Sequence, residues 1–403
     1  MFRGMFHESS KNGAVMKNIS ILGSSGSIGR QTLTVCRWFP GELQVSALAA
    51  GRNWRLLADQ AREFRPRLVA LADESVYREL KAELAGLPVE IAVGEEGLLA
   101  VAALAEASMT VAAIAGIAGL KPAFAALKAG KQLALANKEV LVAAGALAMA
   151  AARQNNTVIL PVDSEHSAIY QCLLGEPPPA KLILTASGGP FRYKSAHELT
   201  SVTAAEALCH PTWNMGPKVT IDSASLANKG LEVIEAHWLF GLSYDDIEVL
   251  IHPQSIVHSL VRFPDGSVKA QLGPADMRLP IQYALLSPKR SPNPTPVLDL
   301  AAVGSLDFAK PDKERFPALA LAYAAGRANL SFPAAYNAAN EVLGAAFLAG
   351  RIPFTAIGAG LHAALETHDP RPLNDIADVL SADEETRAKA EQFVALQLGG
   401  DNL

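Results

Sequence analysis

The sequence has few cysteines and lacks any long apolar run. Its 403 residues include three cysteines, Cys36, Cys172 and Cys209, which are too few for a disulfide framework and are not spaced as metal ligands. We therefore expect a reducing compartment, the cytoplasm. The longest apolar stretch, from Val140 to Ala152, is shorter than the roughly 18–20 residues that cross a bilayer. The sequence therefore predicts a protein without a membrane span.

An excess of positive charge is also lacking. Lys and Arg number 35 against 40 Asp and Glu, so the formal net charge is −5. This balance excludes the overall basic surface of proteins that bind nucleic acid or anionic membranes. Half of the residues are hydrophobic and 19% are charged, which excludes disorder and provides material for a large core. We expect a globular chain of several domains, at about 100–200 residues for each.

Short apolar runs alternate with amphipathic segments in the first part of the chain. The runs extend from Ile19–Leu22 to Val158–Val162, and segments such as Trp54–Phe64 lie between them. Apolar strands that alternate with helices are typical of a parallel sheet covered on both faces. The pattern predicts a doubly wound, Rossmann-like α/β domain over residues 17–163. Residues 1–16 form an extension that lacks the apolar core of a signal peptide.

The remaining sequence predicts two further domains. Strand-like runs joined by a Pro-Asp-Gly turn indicate a central α+β domain with one mixed sheet over residues 164–286. A proline-rich linker follows over residues 287–311, because closely spaced prolines cannot lie inside a helix. Residues 312–403 predict a C-terminal helical bundle. We expect its last helix to begin with a capping box of Ser381 and Glu384.

A glycine-rich turn follows the first predicted strand. Gly23-Ser-Ser-Gly-Ser-Ile-Gly29 lets the backbone approach a pyrophosphate at a helix N-terminus, where free N–H groups attract anions. The spacing G-x-x-G-x-x-G is less specific than G-x-G-x-x-G, so a plain tight turn is the alternative. After the second strand, Arg52 replaces the acid of an NAD site and suits a 2′-phosphate, the alternative being a solvated arginine. The sequence therefore favours NADP.

Acidic residues follow the last strand of the first predicted domain. Asp163 and Glu165 can face one side at the C-terminal end of a parallel strand, where α/β proteins bind ligands. If the chain is helical further on, Asn228 and Glu232 share one helix face. Three carboxylates without a Cys/His set suit a hard divalent cation such as Mg²⁺ or Mn²⁺. The alternatives are a helix N-cap followed by a first-turn acid for Asp163 and Glu165, and a surface ion pair with Lys229 for Glu232.

Three further polar positions could contact a substrate. Ser187 lies in a glycine-rich segment that offers hydroxyl and N–H groups to an anion. The loop from His210 to Gly216 carries Trp213 and suits a lid that excludes water. A hydrophobic plug and a hydrogen-bonded buried histidine are the simpler interpretations of this loop. Lys138 follows the sixth strand and could reach a substrate oxygen or form an ordinary ion pair.

Seven motifs, in their order along the chain, resemble those of the 1-deoxy-D-xylulose 5-phosphate reductoisomerase family. They are Gly23-Ser-Ser-Gly-Ser-Ile-Gly29, Ala136-Asn-Lys-Glu139, Pro161-Val-Asp-Ser-Glu-His-Ser167, Ala186-Ser-Gly-Gly-Pro190, His210-Pro-Thr-Trp-Asn-Met-Gly216, Asp222-Ser-Ala-Ser-Leu-Ala-Asn-Lys-Gly-Leu-Glu232 and Ile251-His-Pro-Gln-Ser255. The resemblance implies an NADPH-dependent oxidoreductase and isomerase that acts as a homodimer with one divalent cation, Mg²⁺ or Mn²⁺, per subunit. It further implies that the sugar phosphate 1-deoxy-D-xylulose 5-phosphate is rearranged and reduced to 2-C-methyl-D-erythritol 4-phosphate for isoprenoid synthesis.

The resemblance also implies roles for individual residues. The metal ligands would be Asp163, Glu165 and Glu232. The substrate contacts would be Lys138 and Ser164 on its carbon backbone, and Ser187, His210, Ser223, Asn228 and Lys229 on its phosphate and nearby hydroxyls, with Trp213 on a covering flap. The NADPH contacts would be Ser25, Gly26, Ser27, Ile28, Gly51, Arg52, Asn53, Asn137, Glu139 and Gly216.

Two other functions are alternatives. A different NADP-dependent oxidoreductase, such as a semialdehyde or hydroxy-acid dehydrogenase, would keep the first domain but would need no three-carboxylate metal site. A catalytically silent NADP-binding sensor with a dimerising helical tail would bind the nucleotide and ignore the sugar phosphate. The presence of three carboxylates together with Lys138 and Lys229 argues against both alternatives.

Overall fold

The computed structural model describes residues 16–399. All of the predicted N-terminal extension except Met16 therefore lies outside the described residues. The strands are β1 (Lys17–Leu22), β2 (Leu43–Ala50), β3 (Leu68–Leu71), β4 (Glu90–Val93), β5 (Met109–Ala112), β6 (Gln132–Leu135), β7 (Ile159–Pro161), β8 (Lys181–Ala186), β9 (Ile247–Ile251), β10 (Val257–Arg262) and β11 (Val268–Leu272). Among these residues, no helix combines the length and the apolar composition that a bilayer span requires.

The helices fill most of the sequence between and after these strands. They are α1 (Ser27–Trp38), α2 (Trp54–Phe64), α3 (Tyr77–Glu83), α4 (Gly94–Ala102), α5 (Leu120–Lys128), α6 (Glu139–Gln154), α7 (Ser164–Leu173), α8 (Ala204–Ala207), α9 (Pro217–Ala224), α10 (Ala227–Phe240), α11 (Arg278–Leu286), α12 (Leu300–Val303), α13 (Pro317–Ala328), α14 (Phe332–Leu348), α15 (Thr355–Glu366) and α16 (Ile376–Gly399).

Contacts between residues divide the chain into two compact units. The first unit comprises the residues up to Val140, Ala148–Ser167 and Asp276–Thr295. The second unit comprises Leu141–Leu147, Ala168–Ala275 and the residues from Pro296 onwards. The domain boundaries that the sequence suggests at 163, 286 and 311 remain predictions.

The first unit is built on a parallel sheet of seven strands. Their order is β4-β3-β2-β1-β5-β6-β7, so the chain reverses its direction of travel across the sheet between β1 and β5. The strands are short and mostly apolar, and β1, β2, β3, β5 and β6 are largely buried. This order confirms the predicted doubly wound, Rossmann-like α/β architecture. In such sheets, ligands bind at the carboxyl ends of the strands next to this reversal.

The second unit contains a four-stranded mixed sheet and a helical region. The strand order is β11-β10-β8-β9, with β8 and β9 parallel and the other pairs antiparallel. The turn from β10 to β11 contains Gly266, whose φ of +87° is a conformation that glycine adopts without strain. In the helical region, α14 packs against α13, α15 and α16. The mixed sheet and the helical C-terminal region are both as predicted.

The prediction for the start of the last helix is wrong. The helix α16 begins at Ile376, so Ser381 and Glu384 lie inside it and do not cap it. The first turn is instead closed by Asp375, whose carboxylate accepts a hydrogen bond from the backbone N–H of Asp378 at 2.9 Å. The carboxylate of Asp378 in turn accepts a hydrogen bond from the backbone N–H of Asn374 at 2.8 Å. This earlier reciprocal pair has the chemistry of a capping box, and it decides where the helix starts.

Candidate active site

The glycine-rich turn joins β1 to α1 in the first unit. Gly23 has a φ of +83°, and a Cβ added there would lie 2.5 Å from the carbonyl oxygen of Ala113, so a larger residue does not fit. α1 begins after Gly26, and among the described residues no side chain caps it. Gly26 and Ser27 are exposed. The first N–H groups of α1 are therefore available to an anion, as the pyrophosphate prediction requires.

The residues after β2 form the second predicted nucleotide contact. Asn53 caps α2 by accepting a hydrogen bond from the backbone N–H of Leu56 at 3.2 Å. The neighbouring Arg52 side chain is 78% exposed, and its Nε lies 3.3 Å from the Asp73 carboxylate at the end of β3. An exposed guanidinium in this place can pair with a phosphate, for which Asp73 is a competing partner.

The predicted residues after β6 are buried. Asn137 donates hydrogen bonds to the carbonyl oxygens of Ile114 and Gly116, the second at 2.9 Å. The side chain thereby ties the end of β6 to the loop after β5. Lys138 and Glu139 follow directly and are less than a tenth exposed. Burial of two charged residues at a strand end distinguishes this position from an ordinary helix start.

Asp163, Glu165 and Lys138 are close together at the ends of the neighbouring strands β6 and β7. A carboxylate oxygen of Asp163 and one of Glu165 lie within 4.8 Å of each other. Lys138 forms an ion pair with Asp163, and the Ser164 hydroxyl donates to Glu165. Two carboxylates at this separation supply the hard oxygen ligands that Mg²⁺ and Mn²⁺ prefer. The first unit therefore presents two carboxylates suited to a divalent cation.

Glu232 lies on α10 in the second unit, on the helix face that the sequence predicts. The Asn228 side chain donates to one of its carboxylate oxygens, and Lys229 pairs with the other. Glu232 is 1% exposed and Lys229 is 3% exposed. The ion pair that is the alternative interpretation of Glu232 thus exists, but it is buried and not on the surface. A buried carboxylate held on both oxygens has a fixed orientation, which suits a ligand of a cation.

Ser187, His210 and Ser223 form a polar cluster in the second unit. Nε2 of His210 lies 2.9 Å from the Ser187 hydroxyl and 3.1 Å from the Ser223 hydroxyl. Gly189 makes this approach possible, because its φ is +69° and a Cβ there would lie 2.7 Å from the carbonyl oxygen of Ser223. Its N–H also donates to the Ser187 hydroxyl at 3.2 Å. The sequence suggested each of these residues, and the structure brings them together.

Backbone contacts determine which nitrogen of His210 carries the proton. Nδ1 accepts hydrogen bonds from the backbone N–H groups of Thr212 at 3.2 Å and Trp213 at 2.9 Å. The neutral ring therefore has its hydrogen on Nε2, the atom that faces the two serines. Burial, together with the charge of Arg192, lowers the pKa of His210 to about 4. At neutral pH the cluster consequently offers an uncharged N–H donor and two hydroxyls to an anion.

The loop from His210 to Gly216 contacts the rest of the second unit at a few points. The ring of Trp213 lies 6.0 Å from the ring of His258, and the Thr212 hydroxyl lies 3.4 Å from that of Ser255. Trp213 is half-buried, and most of its neighbours in the loop are exposed. A few weak contacts and an exposed backbone suit a segment that moves over a bound ligand.

Two arginines near the polar cluster were missed by the sequence analysis. Arg192 follows the glycine-rich segment after β8 and donates to the carbonyl oxygen of Gly189 at 3.2 Å. Arg315 donates to the carbonyl oxygens of Arg192, at 3.3 Å, and of Lys194, while its Nε donates to Asp312 at 2.8 Å. Arg315 lies 123 residues after Arg192, so no local spacing could reveal the contact.

Comparisons with known proteins identify the family. Residues 19–145 match the family model described as 1-deoxy-D-xylulose 5-phosphate reductoisomerase, and residues 159–240 and 272–389 match the models of its C-terminal domains. The protein of that name from Moorella thermoacetica is 56% identical, over 93% of this chain and 97% of its own length. The chain belongs to the 1-deoxy-D-xylulose 5-phosphate reductoisomerase family. The family member from Geobacillus kaustophilus is 54% identical over 94% of this chain and its full length.

Solved structures of the family have the same fold. The Zymomonas mobilis family member, in complex with NADPH, is 43% identical and superposes with a TM-score of 0.89 over 94% of this chain and 99% of that chain. A DOX-P reductoisomerase in complex with NADPH, fosmidomycin and magnesium is 39% identical, with the same TM-score and coverage. The predicted fold class is therefore confirmed by relatives as well as by the strand order.

Proposed function

We propose that this chain rearranges and reduces 1-deoxy-D-xylulose 5-phosphate to 2-C-methyl-D-erythritol 4-phosphate, using NADPH and a divalent cation. The observation that carries the proposal is family membership over almost the whole chain, at 56% identity to one relative. The matches over residues 19–145 and 159–240 cover both the nucleotide-binding domain and the segments to which we assign metal and substrate, which counts against the two alternative functions.

The proposed NADPH site begins at the uncapped N-terminus of α1, which fits a pyrophosphate. When bound, NADPH supplies the hydride that reduces the rearranged substrate. Arg52 would pair with the 2′-phosphate. The full set that we assign to NADPH is Ser25, Gly26, Ser27, Ile28, Gly51, Arg52, Asn53, Asn137, Glu139 and Gly216.

For the cation, we assign Asp163, Glu165 and Glu232 as ligands. The donor set fits Mg²⁺ or Mn²⁺, because all three ligands are carboxylates and Asp163 and Glu165 lie within 4.8 Å of each other. When bound, such a cation acts as a Lewis acid on substrate oxygens. Lys229 and Asn228 hold the Glu232 side chain in its orientation.

Substrate recognition is assigned to uncharged polar residues and to two lysines. The Ser187–His210–Ser223 cluster would donate hydrogen bonds to the phosphate, with Asn228 and Lys229 completing the set. Lys138 and Ser164 would contact the carbon backbone, where the Lys138 ammonium stabilises negative charge that develops on oxygen. The Trp213 loop would close over the substrate and exclude water.

The assembly and location belong to the same proposal. We infer a homodimer, since β11 is an outer strand of its sheet and Val268 on it is 50% exposed, which leaves an edge that a second copy could cover. Light scattering should give twice the chain mass, and a monomer at micromolar concentration would contradict the inference. The low cysteine content, three in 403 residues, suits the cytoplasm, which cell fractionation would test.

One assay tests the reaction directly. Purified full-length protein should oxidise NADPH in the presence of 1-deoxy-D-xylulose 5-phosphate and Mg²⁺ or Mn²⁺, and the methylerythritol phosphate should accumulate in equal amount. EDTA should stop the oxidation, and added metal should restore it. Protein that binds NADPH but leaves this substrate unchanged would contradict the proposal and favour another substrate or the silent sensor.

A further inference from the structure

Gln60 is buried below the glycine-rich turn of the first unit. It lies on α2 and is 4% exposed, and its Nε2 donates a hydrogen bond of 2.9 Å to the carbonyl oxygen of Ser24. Ser24 is fully buried and directly follows Gly23. The helix α2 starts next to the proposed 2′-phosphate contact. Gln60 therefore links the segment that we assign to the 2′-phosphate of NADPH with the segment that we assign to its pyrophosphate.

The hydrogen bond fixes the orientation of one peptide group. In a trans peptide, the carbonyl and the following N–H point in opposite directions. Since the Ser24 carbonyl is directed at Gln60 inside the unit, the N–H of Ser25 is directed away from it. The chain is exposed just beyond, at Gly26 and Ser27. The Ser25 N–H is therefore aimed to the side from which an anion would approach α1.

Other hydrogen bonds hold the turn, but the orientation of the Ser24–Ser25 peptide group depends on Gln60. The backbone N–H groups of Gly23 and Ser24 both donate to the carbonyl oxygen of Ala49, at 2.9 and 2.8 Å. These two bonds position the start of the turn. The N–H of Gly26 also donates to the carbonyl oxygen of Gly23 at 3.0 Å and closes a four-residue turn around the Ser24–Ser25 peptide. Turns of types I and II share such a bond and differ in the orientation of their central peptide, so it does not by itself set the direction of the Ser24 carbonyl. The Oε1 atom of Gln60 is buried and accepts no hydrogen bond among the described residues. A buried amide oxygen of this kind costs free energy, so the side chain contributes through its donor nitrogen.

We propose that Gln60 is a positioning residue for the NADPH pyrophosphate. Its amide group holds the Ser24–Ser25 peptide so that the Ser25 N–H faces the phosphate oxygens. This inference rests on the proposed NADPH site and adds to it a residue that does not touch the nucleotide.

The test compares two ligands and two variants of the full-length protein. Gln60→Met keeps the side-chain length and removes the donor. It should weaken NADPH binding about tenfold, the effect of misaligning one hydrogen bond to a charged phosphate. Adenosine 2′-monophosphate carries the phosphate expected at Arg52 but lacks the pyrophosphate, and its affinity should not change. Calorimetry or NADPH fluorescence gives both dissociation constants.

Thr110→Val is the matched control. Its hydroxyl donates to the carbonyl oxygen of Ala102 at 2.8 Å, and it is as buried as Gln60 and in the same unit, but on β5. The control should bind both ligands as the original protein does. Equal NADPH affinities in Gln60→Met and Thr110→Val would overturn the inference, and so would an equal loss of both ligands in Gln60→Met.

Failure of the original protein to bind NADPH would instead contradict the proposed function, and the inference would be rejected with it. If circular dichroism shows that Gln60→Met does not fold, Gln60→Leu removes the same donor with a smaller side chain. The expected split between NADPH and adenosine 2′-monophosphate is the same, and its absence would overturn the inference.

Discussion

The ammonium group of Lys138 pairs with the carboxylate of Asp163, where the neighbouring strands β6 and β7 end. The two side chains are only 9% and 15% exposed, so each offsets a charge that is largely buried. Asp163 is also a proposed ligand of the cation. The pair therefore joins a residue proposed to act on the substrate with one proposed to hold the metal, and the two roles can be separated by substitution.

Lys138→Gln should lower kcat at least about a hundredfold, because a charge that stabilises the transition state is lost. The dissociation constant of NADPH should stay within about twofold of its original value. The affinity for Mn²⁺ should not fall, since the competing ammonium is removed from Asp163. Steady-state turnover, NADPH titration and Mn²⁺ titration measure the three quantities.

The control for this variant is Lys131→Gln, which alters a lysine of the same unit whose ammonium contacts the carbonyl oxygen of Ala105 near the surface. Its turnover should be unchanged. If Lys138→Gln were as active as this control, the proposed contact between Lys138 and the substrate would be rejected.

Glu232→Gln should reduce turnover by about a hundredfold to a thousandfold at moderate Mg²⁺, since an amide is a much weaker ligand than a carboxylate for this cation. Raising the metal concentration should recover part of the activity, and NADPH binding should remain normal. Glu248→Gln, on the exposed side of the mixed sheet, is the control. Parallel loss of NADPH affinity and turnover in Glu232→Gln would count against its assignment as a metal ligand.

His210 should make the stability of the protein depend on pH. Its pKa is about 4 in the folded protein, against a usual value of 6.5, chiefly because the ring is buried. Between these values the unfolded chain binds more protons than the folded one, so the free energy of unfolding falls as the pH is lowered from about 6.5 to about 4. After solvent screening of a half-buried ring, we expect a loss of about 1–2 kcal/mol, which His210→Gln should lack. Urea unfolding at pH 7 and pH 4.5 measures the difference.

His362→Gln, on an exposed part of α15, is the control and should keep the original pH dependence.

The charge of Arg192 is the second cause of the lowered His210 pKa. In the Arg192→Met variant, the imidazole resonances of His210 should therefore titrate at a higher pH than in the original protein. An unchanged His210 titration would remove Arg192 from the surroundings of the polar cluster.

The sequence predicts most of the fold because its signals are local. Apolar runs mark the strands of both sheets, and the segment Trp54–Phe64 coincides with α2. The contacts that complete the site are not local. The approach of Ser187 to Ser223 depends on a positive φ at Gly189, and the contact between Arg315 and Arg192 spans 123 residues. Such contacts arise from tertiary packing, which local patterns do not encode.

Arg52→Asp tests the proposed selection of NADPH over NADH. The substitution places a carboxylate where the 2′-phosphate is expected, beside Asp73, which already lies 3.3 Å from the guanidinium. We expect the KM for NADPH to rise about tenfold to a hundredfold and the KM for NADH to change little, because a lost ion pair is replaced by repulsion of the phosphate alone. Arg55→Asp makes the same change of charge three residues later on an exposed face of α2, and it should leave the ratio of the two constants unchanged. If the ratio of the KM for NADPH to the KM for NADH changes equally in both variants, the effect is one of general electrostatics. If the ratio changes in neither variant, the 2′-phosphate contact lies elsewhere.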